Sequence, residues 1–324
     1  MSKIVVIGSL NMDLVAIAPR IPVIGETVIG TSYFNQPGGK GANQAYAAAQ
    51  LGGDVTMLGC IGDDEFGRQM RRNLQAVGCG TDMLQVEAGP SGIALIYVDT
   101  SGQNSIVVVP GANDALTPDR VINAAEHLAG SKIVLLQLES PIESVIAAAQ
   151  AARRQGAMVI LDPAPAPAGR LPIELLRNID ILTPNETETA ILAGLAPGSL
   201  QPGQAAEIGF RLIEMGAKSA IIKLGSQGCL IVENGRSSLV AAPKVDAKDT
   251  TAAGDVFNAG LAVAIDEELD LPAACQFANH AAALSVTRLG AQAAIPHRSE
   301  VDSFIASGNA DAIVAGMGQG HTIR

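Results

Sequence analysis

Short, almost uninterrupted apolar runs recur along this chain, separated by stretches with a helical period. The runs lie at 3–8 (KIVVIG), 55–61, 132–138, 157–162, 180–183, 219–225 and 229–233. Apolar residues on both sides of a strand predict burial on both faces, as in a sheet covered by two layers of helices. Helical patterns occupy 41–53, 117–130, 141–156 and 256–266. The second is predicted to start at an N-cap Thr117 with Pro118 in its first turn and Gly130 beyond its end, and the third repeats that layout with Ser140 as cap. The alternation predicts an α/β fold, a doubly wound and mostly parallel sheet with helices on both faces.

Two segments, 13–36 and 91–110, break the alternation. The second reads as a hairpin, two β-rich runs around DTSGQN. Together they predict a small β-sheet lid over the ends of the main strands. The lid's apolar face needs a partner, and a second copy of the chain is the natural one. Residues 1–310 then form one α/β domain, and the glycine-rich stretch 311–324 is expected to be a flexible tail.

Composition narrows the possible partners. The net charge of −11 argues against nucleic acid or an anionic membrane surface, both of which need clustered Lys and Arg. It leaves room for a small anionic ligand held by backbone N–H groups at a helix start. The four cysteines (Cys60, Cys79, Cys229, Cys275) form no C-x-x-C pair, and the four histidines are scattered, so a thiolate or imidazole metal centre is not expected. The short apolar run after Lys3 is too brief for a signal peptide and no segment is long enough to span a bilayer, so a reduced, cytoplasmic protein is the simple expectation.

In open α/β sheets ligands bind beyond the carboxyl ends of the strands. Polar groups recur there. Strand 3–8 is followed by Asn11 and Asp13, and strand 132–138 by Glu139. PGGKGANQA supplies Gly39, Lys40 and Asn43, and TPNETE supplies Asn185 and Glu188. Strand 219–225 runs into Lys223, Leu224, Gly225, Ser226, Gln227 and Gly228. DTTAAGD (249–255) opens the helix at 256–266. Its small residues permit close backbone approach, and its N–H groups at 253–255 would suit a migrating phosphoryl group, with Asp255 beside them to take a proton. Asp255 as a plain helix cap is the competing reading. Each other element also has a plain alternative: a tight turn with a solvated lysine for GGKGAN, a capping box for Asn185 and Glu188, and polar strand ends for Asn11, Asp13 and Glu139. GGKGAN is neither a Walker A loop nor a dinucleotide fingerprint.

NMDLV, GGKGANQA, QLESP, TPNETE and DTTAAGD, in this order between about residues 3 and 307, resemble the ribokinase-like family of ATP-dependent sugar kinases. The resemblance implies Asp255 as catalytic base and the backbone of Ala252, Ala253, Gly254 and Asp255 as anion hole. It implies D-ribose as the sugar, phosphorylated at O5, bound by Asn11, Asp13, Gly39, Lys40, Asn43, Glu139 and Asp255. ATP falls to Asn185, residues 223–228, Gly254 and Asn279, with Mg2+ linked to Glu188 through water. A K+ site is implied at Asp249, Thr251, Ser285, Arg288, Gly290 and Ala294. The chain departs from relatives in having Ala294 without a hydroxyl, Lys223 where Thr is common, and Asn279 in place of a His. A homodimer through the lid sheet is also implied. Other acceptors (2-deoxyribose, fructose, a nucleoside or a sugar acid) remain open, as does a non-catalytic sugar or nucleotide sensor. A nicotinamide-dependent dehydrogenase is disfavoured by the missing G-x-G-x-x-G.

Overall fold

The computed structural model describes residues 2–167, 169–308 and 315–316. Along the chain, β1 (Ile4–Ile7), β2 (Asn11–Ile17) and β3 (Ser32–Gly38) lead into α1 (Lys40–Gln50) and β4 (Val55–Gly62). Next come α2 (Glu65–Ala76), β5 (Leu84–Glu87), the hairpin β6 (Gly92–Val98) and β7 (Asn104–Val109), and α3 (Pro118–Asn123). The alternation continues through β8 (Ile133–Leu136), α4 (Ile142–Arg154), β9 (Met158–Leu161), α5 (Ile173–Leu176) and β10 (Ile181–Leu182). It runs on through α6 (Glu186–Leu192), α7 (Pro202–Glu214) and β11 (Ser219–Lys223). β12 (Cys229–Glu233), β13 (Arg236–Val240), α8 (Ala253–Asp266), α9 (Leu271–Ser285), α10 (Arg298–Ala306) and the two-residue β14 (Ala315–Gly316) complete the described chain.

The main sheet has the order β14-β13-β12-β11-β10-β9-β8-β1-β4-β5. From β5 to β11 every pairing is parallel, while β11 to β14 pair antiparallel. The apolar runs explain its burial. Along β1 and β8 alternate residues enter opposite layers: Ile4, Val6, Ile133 and Leu135 pack with α1, α8 and α9, whereas Val5, Ile7, Val134 and Leu136 pack with α3, α4 and α7. All eight are almost completely buried. At about 1.5–3 kcal/mol for each large aliphatic side chain, burial on both faces dominates the energetics of the sheet. Small residues bring helices close to one another. A Cβ on Gly260 of α8 would stand 3.1 Å from the Ala278 Cα of α9.

The second sheet has the order β3-β2-β6-β7, with β2 and β6 parallel and the outer pairs antiparallel. It is the small sheet expected from the two insertions, but its strands reach from Asn11 to Gly38 rather than 13 to 36. Asn11 and Asp13 therefore lie on a lid strand, three residues beyond β1, and not on the end of a main-sheet strand. Every residue of β7 is exposed, and Tyr33, Phe34 and Tyr97 are exposed on neighbouring strands.

Several local expectations differ from the structure. Thr117 does cap α3, accepting from the Arg120 N–H, but the helix expected to reach 130 stops at Asn123 and continues only as a short 3-10 turn, Ala125–Leu128. Ser140 is not a cap: Pro141 holds that position in α4, and the Ser140 hydroxyl has no partner. The run 180–183 forms only a two-residue strand. β13 and β5 are short and mixed in polarity, which hides them from an apolar-run criterion. The tail expected at 311–324 lies outside the described residues, apart from Ala315–Gly316, which pair with Ser238 and Leu239. No helix among the described residues is long and apolar enough to cross a membrane.

Candidate active site

The turn before α8 is built by Asp249. Its carboxylate accepts from the Thr251 N–H (2.9 Å), the Thr251 hydroxyl (2.6 Å) and, across the chain, the Gly290 N–H (2.8 Å). These bonds hold its carboxyl below the usual range against the opposing effect of partial burial. The side chain is thus spent on tying 249–251 to the loop around Gly290. Ala252 then takes a left-handed conformation (φ 59°), which a residue with a Cβ adopts only at a cost, and α8 starts at Ala253. The Ala253 N–H is consumed by Thr250 O at 3.2 Å, so of the three amides expected to point outward only those of Gly254 and Asp255 lack a protein acceptor among the described residues. They face the cleft with the positive end of α8 behind them.

Asp255 is no cap. It is the third residue of α8, and its carboxylate points across to α1. Asn43 Nδ2 donates to Oδ2 at 3.0 Å and Gln44 Nε2 donates to Oδ1 at 3.1 Å. Burial pushes its pKa up to about 6, with Asp162 adding to the rise and Lys40, Asn43 and Gln44 opposing it. That value leaves it ionised yet basic near neutral pH, the condition a general base needs.

A network of buried amides fixes this carboxylate. Gln292 Nε2 donates to Asn43 Oδ1 at 3.0 Å, and Asn73 in turn donates to Gln292. Gln137 Nε2 donates to Gln44 Oε1 at 2.7 Å. Gln44 also donates to Asp162 Oδ2 at 3.1 Å, whose other oxygen pairs with Lys223 Nζ at 2.9 Å. Sequence reading did not single out Gln44, Gln137, Asp162, Gln292, Asn73 or Asn113. Asp162 directly follows β9, so the strand-end rule that found Glu139 would have found it too.

On one side of Asp255 lie the residues expected to hold an acceptor. Gly39 (φ 88°) precedes α1, and a Cβ there would meet Asn11 N at 2.7 Å, so only glycine lets β2 run this close. Glu139 accepts from Ser9 Oγ at 2.6 Å and from the Lys40 N–H at 3.0 Å, which pins the start of α1. Asn11 Oδ1 accepts from Asn113 Nδ2 at 2.8 Å, and Asn113 is itself clamped to both backbone groups of Leu10. The Asn11 Nδ2 group has no protein acceptor among the described residues. Asp13 faces the same space, and burial, then Glu139, then Asp255, push its pKa up to about 7. Burial would lower the Lys40 ammonium, but Asp255, Asp162, Glu139 and Glu188 outweigh it and keep that group firmly charged.

On the other side a cleft of about 810 Å³ runs from Lys40 and Asp255 past the head of α8. Its walls include Asn185, Glu188, Lys223, Gly225, Ser226, Gly228 and Asn279. Asn185 and Glu188 do form a capping box: Asn185 Oδ1 accepts from the Glu188 N–H (2.8 Å) and Glu188 Oε2 from the Asn185 N–H (2.7 Å). The box uses one oxygen of each side chain and does not remove either from the cleft. Burial raises the Glu188 pKa, with Asp162 adding and Lys223 opposing. Leu224 is buried in the core and Gln227 is exposed, and neither lines the cleft. Asn279 Nδ2 donates to Val240 O at 3.0 Å.

The residues expected around a monovalent cation do not line the cleft. Ser285 Oγ bonds Ala282 O at 2.8 Å, Arg288 pairs with Glu300 at 2.5 Å, and Ala294 is buried in a 3-10 turn. No cluster of three or more His, Cys, Asp or Glu side chains with metal-binding geometry occurs among the described residues.

A pfkB family carbohydrate kinase model matches residues 1–298. The chain is 42% identical over 301 residues to a ribokinase of Haemophilus influenzae, covering 93% of this chain and 97% of that protein. It is 36% identical to a deoxyribokinase of Salmonella typhi, covering 93% and 98%. A solved structure of Arabidopsis thaliana ribokinase complexed with ribose and ATP superposes with a TM-score of 0.86 at 34% identity, covering 94% of this chain and 98% of that one.

The buried Asp13 gives a stability test. Its carboxyl keeps a proton up to about pH 7 in the fold but loses it near 3.8 once unfolded. Between those values the folded chain binds more protons, so this group's contribution to stability falls as pH rises through the window. Asp13→Asn is expected to flatten that slope and raise Tm at pH 8 by roughly 2–5 °C, measured by calorimetry without ligands. A variant that melts at or below the wild-type temperature at pH 8 would show the assigned burial cost to be wrong.

Proposed function

The chain belongs to the pfkB family of carbohydrate kinases, and from that premise we propose that it transfers the terminal phosphoryl group of ATP to O5 of D-ribose. The products are D-ribose 5-phosphate and ADP. The observation that carries this reading is the position of Asp255. It stands at the head of α8, facing the large cleft, while its carboxylate is held by Asn43 from the acceptor side. Asp255 takes the O5 proton as the O5–P bond forms and the P–O bond to ADP breaks. The N–H groups of Gly254 and Asp255, beside Lys40, receive the charge on the migrating phosphoryl oxygens. Asn11, Asp13, Gly39, Lys40, Asn43 and Glu139 surround the sugar. The nucleotide lies along Asn185, residues 223–228 and Asn279.

Glu188 is the residue that would serve Mg2+ through water, and the ion would supply charge neutralisation for the nucleotide phosphates. Carbonyls of the 249–251 and 285–294 segments would hold K+, which would supply positive charge beside the anion hole; the bonds that Asp249 accepts from the Thr251 and Gly290 N–H groups bring these two segments together and support that reading. D-Ribose is favoured over 2-deoxyribose by Asn11. With Oδ1 committed to Asn113, its Nδ2 is left for a sugar hydroxyl, and a deoxy sugar would leave that donor unsatisfied. The similarity to a deoxyribokinase makes 2-deoxyribose the second reading. Four free, buried cysteines support a reducing, cytoplasmic setting. The exposed apolar strip of Ile106–Val109 with Tyr33, Phe34 and Tyr97 supports a homodimer through the lid sheet.

Asp255→Asn is expected to lower kcat by about 10²–10⁴-fold while the dissociation constants for sugar and ATP stay within a few-fold, as read by calorimetry. Near-normal turnover would remove Asp255 from the role of base. In a panel of acceptor sugars with ATP, kcat/KM for D-ribose is expected to exceed that for 2-deoxyribose by at least about tenfold, and exchanging K+ for choline should slow the reaction. Equal use of both pentoses, or indifference to the cation, would reject the respective assignment. Light scattering should give twice the chain mass, and a monomer at assay concentration would discard the lid interface.

A further inference from the structure

We infer that Gln44 is a positioning residue for the base, and that together with Asp162 it sets the orientation of the Asp255 carboxylate and how readily that carboxylate takes a proton. The inference rests on Asp255 being the base. Gln44 is fully buried on α1 and does not line the cleft. Its amide is used completely: Oε1 accepts from Gln137, and Nε2 donates to Asp255 Oδ1 and Asp162 Oδ2, each at 3.1 Å. One nitrogen with two hydrogens therefore bridges two carboxylates. Being donor-only at that end, it requires an acceptor oxygen from each of them. With Asn43 on Oδ2, both Asp255 oxygens have one fixed donor, so the carboxylate plane is set from α1 rather than from its own helix.

The charges facing Asp255 come from three further directions. Lys40 lies on α1, Asp13 on β2, and Asp162 follows β9 with Lys223 paired to it. Of these only Asp162 is joined to Asp255 through a shared donor. Gln44 favours the charged form of Asp255 by hydrogen bonding, and Asp162 disfavours it as a like charge. A buried amide that merely fills space would touch neither property.

The test is the acid limb of the kcat profile at saturating sugar, where the sugar contacts are already made and the base becomes protonated. Gln44→Met keeps the volume and removes the donor, so the limb is expected to move up by about one pH unit. It should also lower the plateau kcat, because the carboxylate loses one of its two fixed donors. Asp162→Asn removes the like charge and frees Lys223 nearby, so its limb is expected to move down. Opposite shifts are the signature, since general loosening would push both variants the same way. Circular dichroism and Tm show whether each variant is folded. If Gln44→Met does not fold, Gln44→Leu takes its place: an upward move supports the inference and an unmoved limb overturns it. Unmoved or parallel limbs in two folded variants overturn the inference, while the base reading stands. Full turnover in Asp255→Asn, measured alongside, would instead identify the base assignment itself as the error.

Discussion

One buried carboxylate organises this molecule. Asp255 sits in the first turn of α8, where the helix exposes two N–H groups without protein acceptors, and it is held there by amide donors from another helix. Burying an ionised group in a packed interior is unfavourable unless hydrogen bonds and opposite charge offset the loss of water. Here Asn43, Gln44 and Lys40 supply that offset, and all three come from α1. The start of α1 must therefore be placed accurately against the start of α8. The main sheet does this. β1 and β8 pack on both helices at once, while Glu139 and Ser9, each just past a central strand, grip the backbone of Lys40 and Gly41.

The same edge of the sheet separates two tasks. Groups after β10 and β11 form the walls of the large cleft, and groups on the small sheet and after β8 form the acceptor side. Asp255 stands where the two meet. Asp162 and Lys223 lie on the cleft side of that boundary and are joined to Asp255 through Gln44. The electrostatics match the division: burial, reinforced by the Glu139 and Asp255 carboxylates, pushes Asp13 up to about 7, whereas amides at the start of α8 offer positive potential to the cleft.

Much of the fold was legible because burial on both faces leaves a plain trace. Runs such as VVI and IVLL cannot sit on a solvated sheet, and the structure places them in its centre. Elements lacking that trace were missed. β13 reads RSSLV, and α2 is largely polar, with its apolar contacts limited to a few positions. Lid residues Asn11 and Asp13 looked like the end of β1 because a three-residue link separates them from it. The polar residues found at strand ends do gather at one edge, yet the amides that hold them were invisible: Gln44, Gln137 and Gln292 come from distant segments, and nothing local distinguishes a networked glutamine from a solvated one. Asn185 and Glu188 illustrate the reverse case. Their spacing announces a capping box, which is present, and the spacing is silent on what the Asn185 Nδ2 and the second Glu188 oxygen do.

The route of the chain from β1 into β2 has a mechanical consequence. Only Gly8 to Leu10 connect the central strand to the small sheet, so Asn11 and Asp13, proposed to hold the acceptor, belong to the cover, whereas Asp255, the proposed base, belongs to the frame. On that reading, recognition of the sugar and removal of its proton are assigned to two parts of the fold joined at this point by three residues.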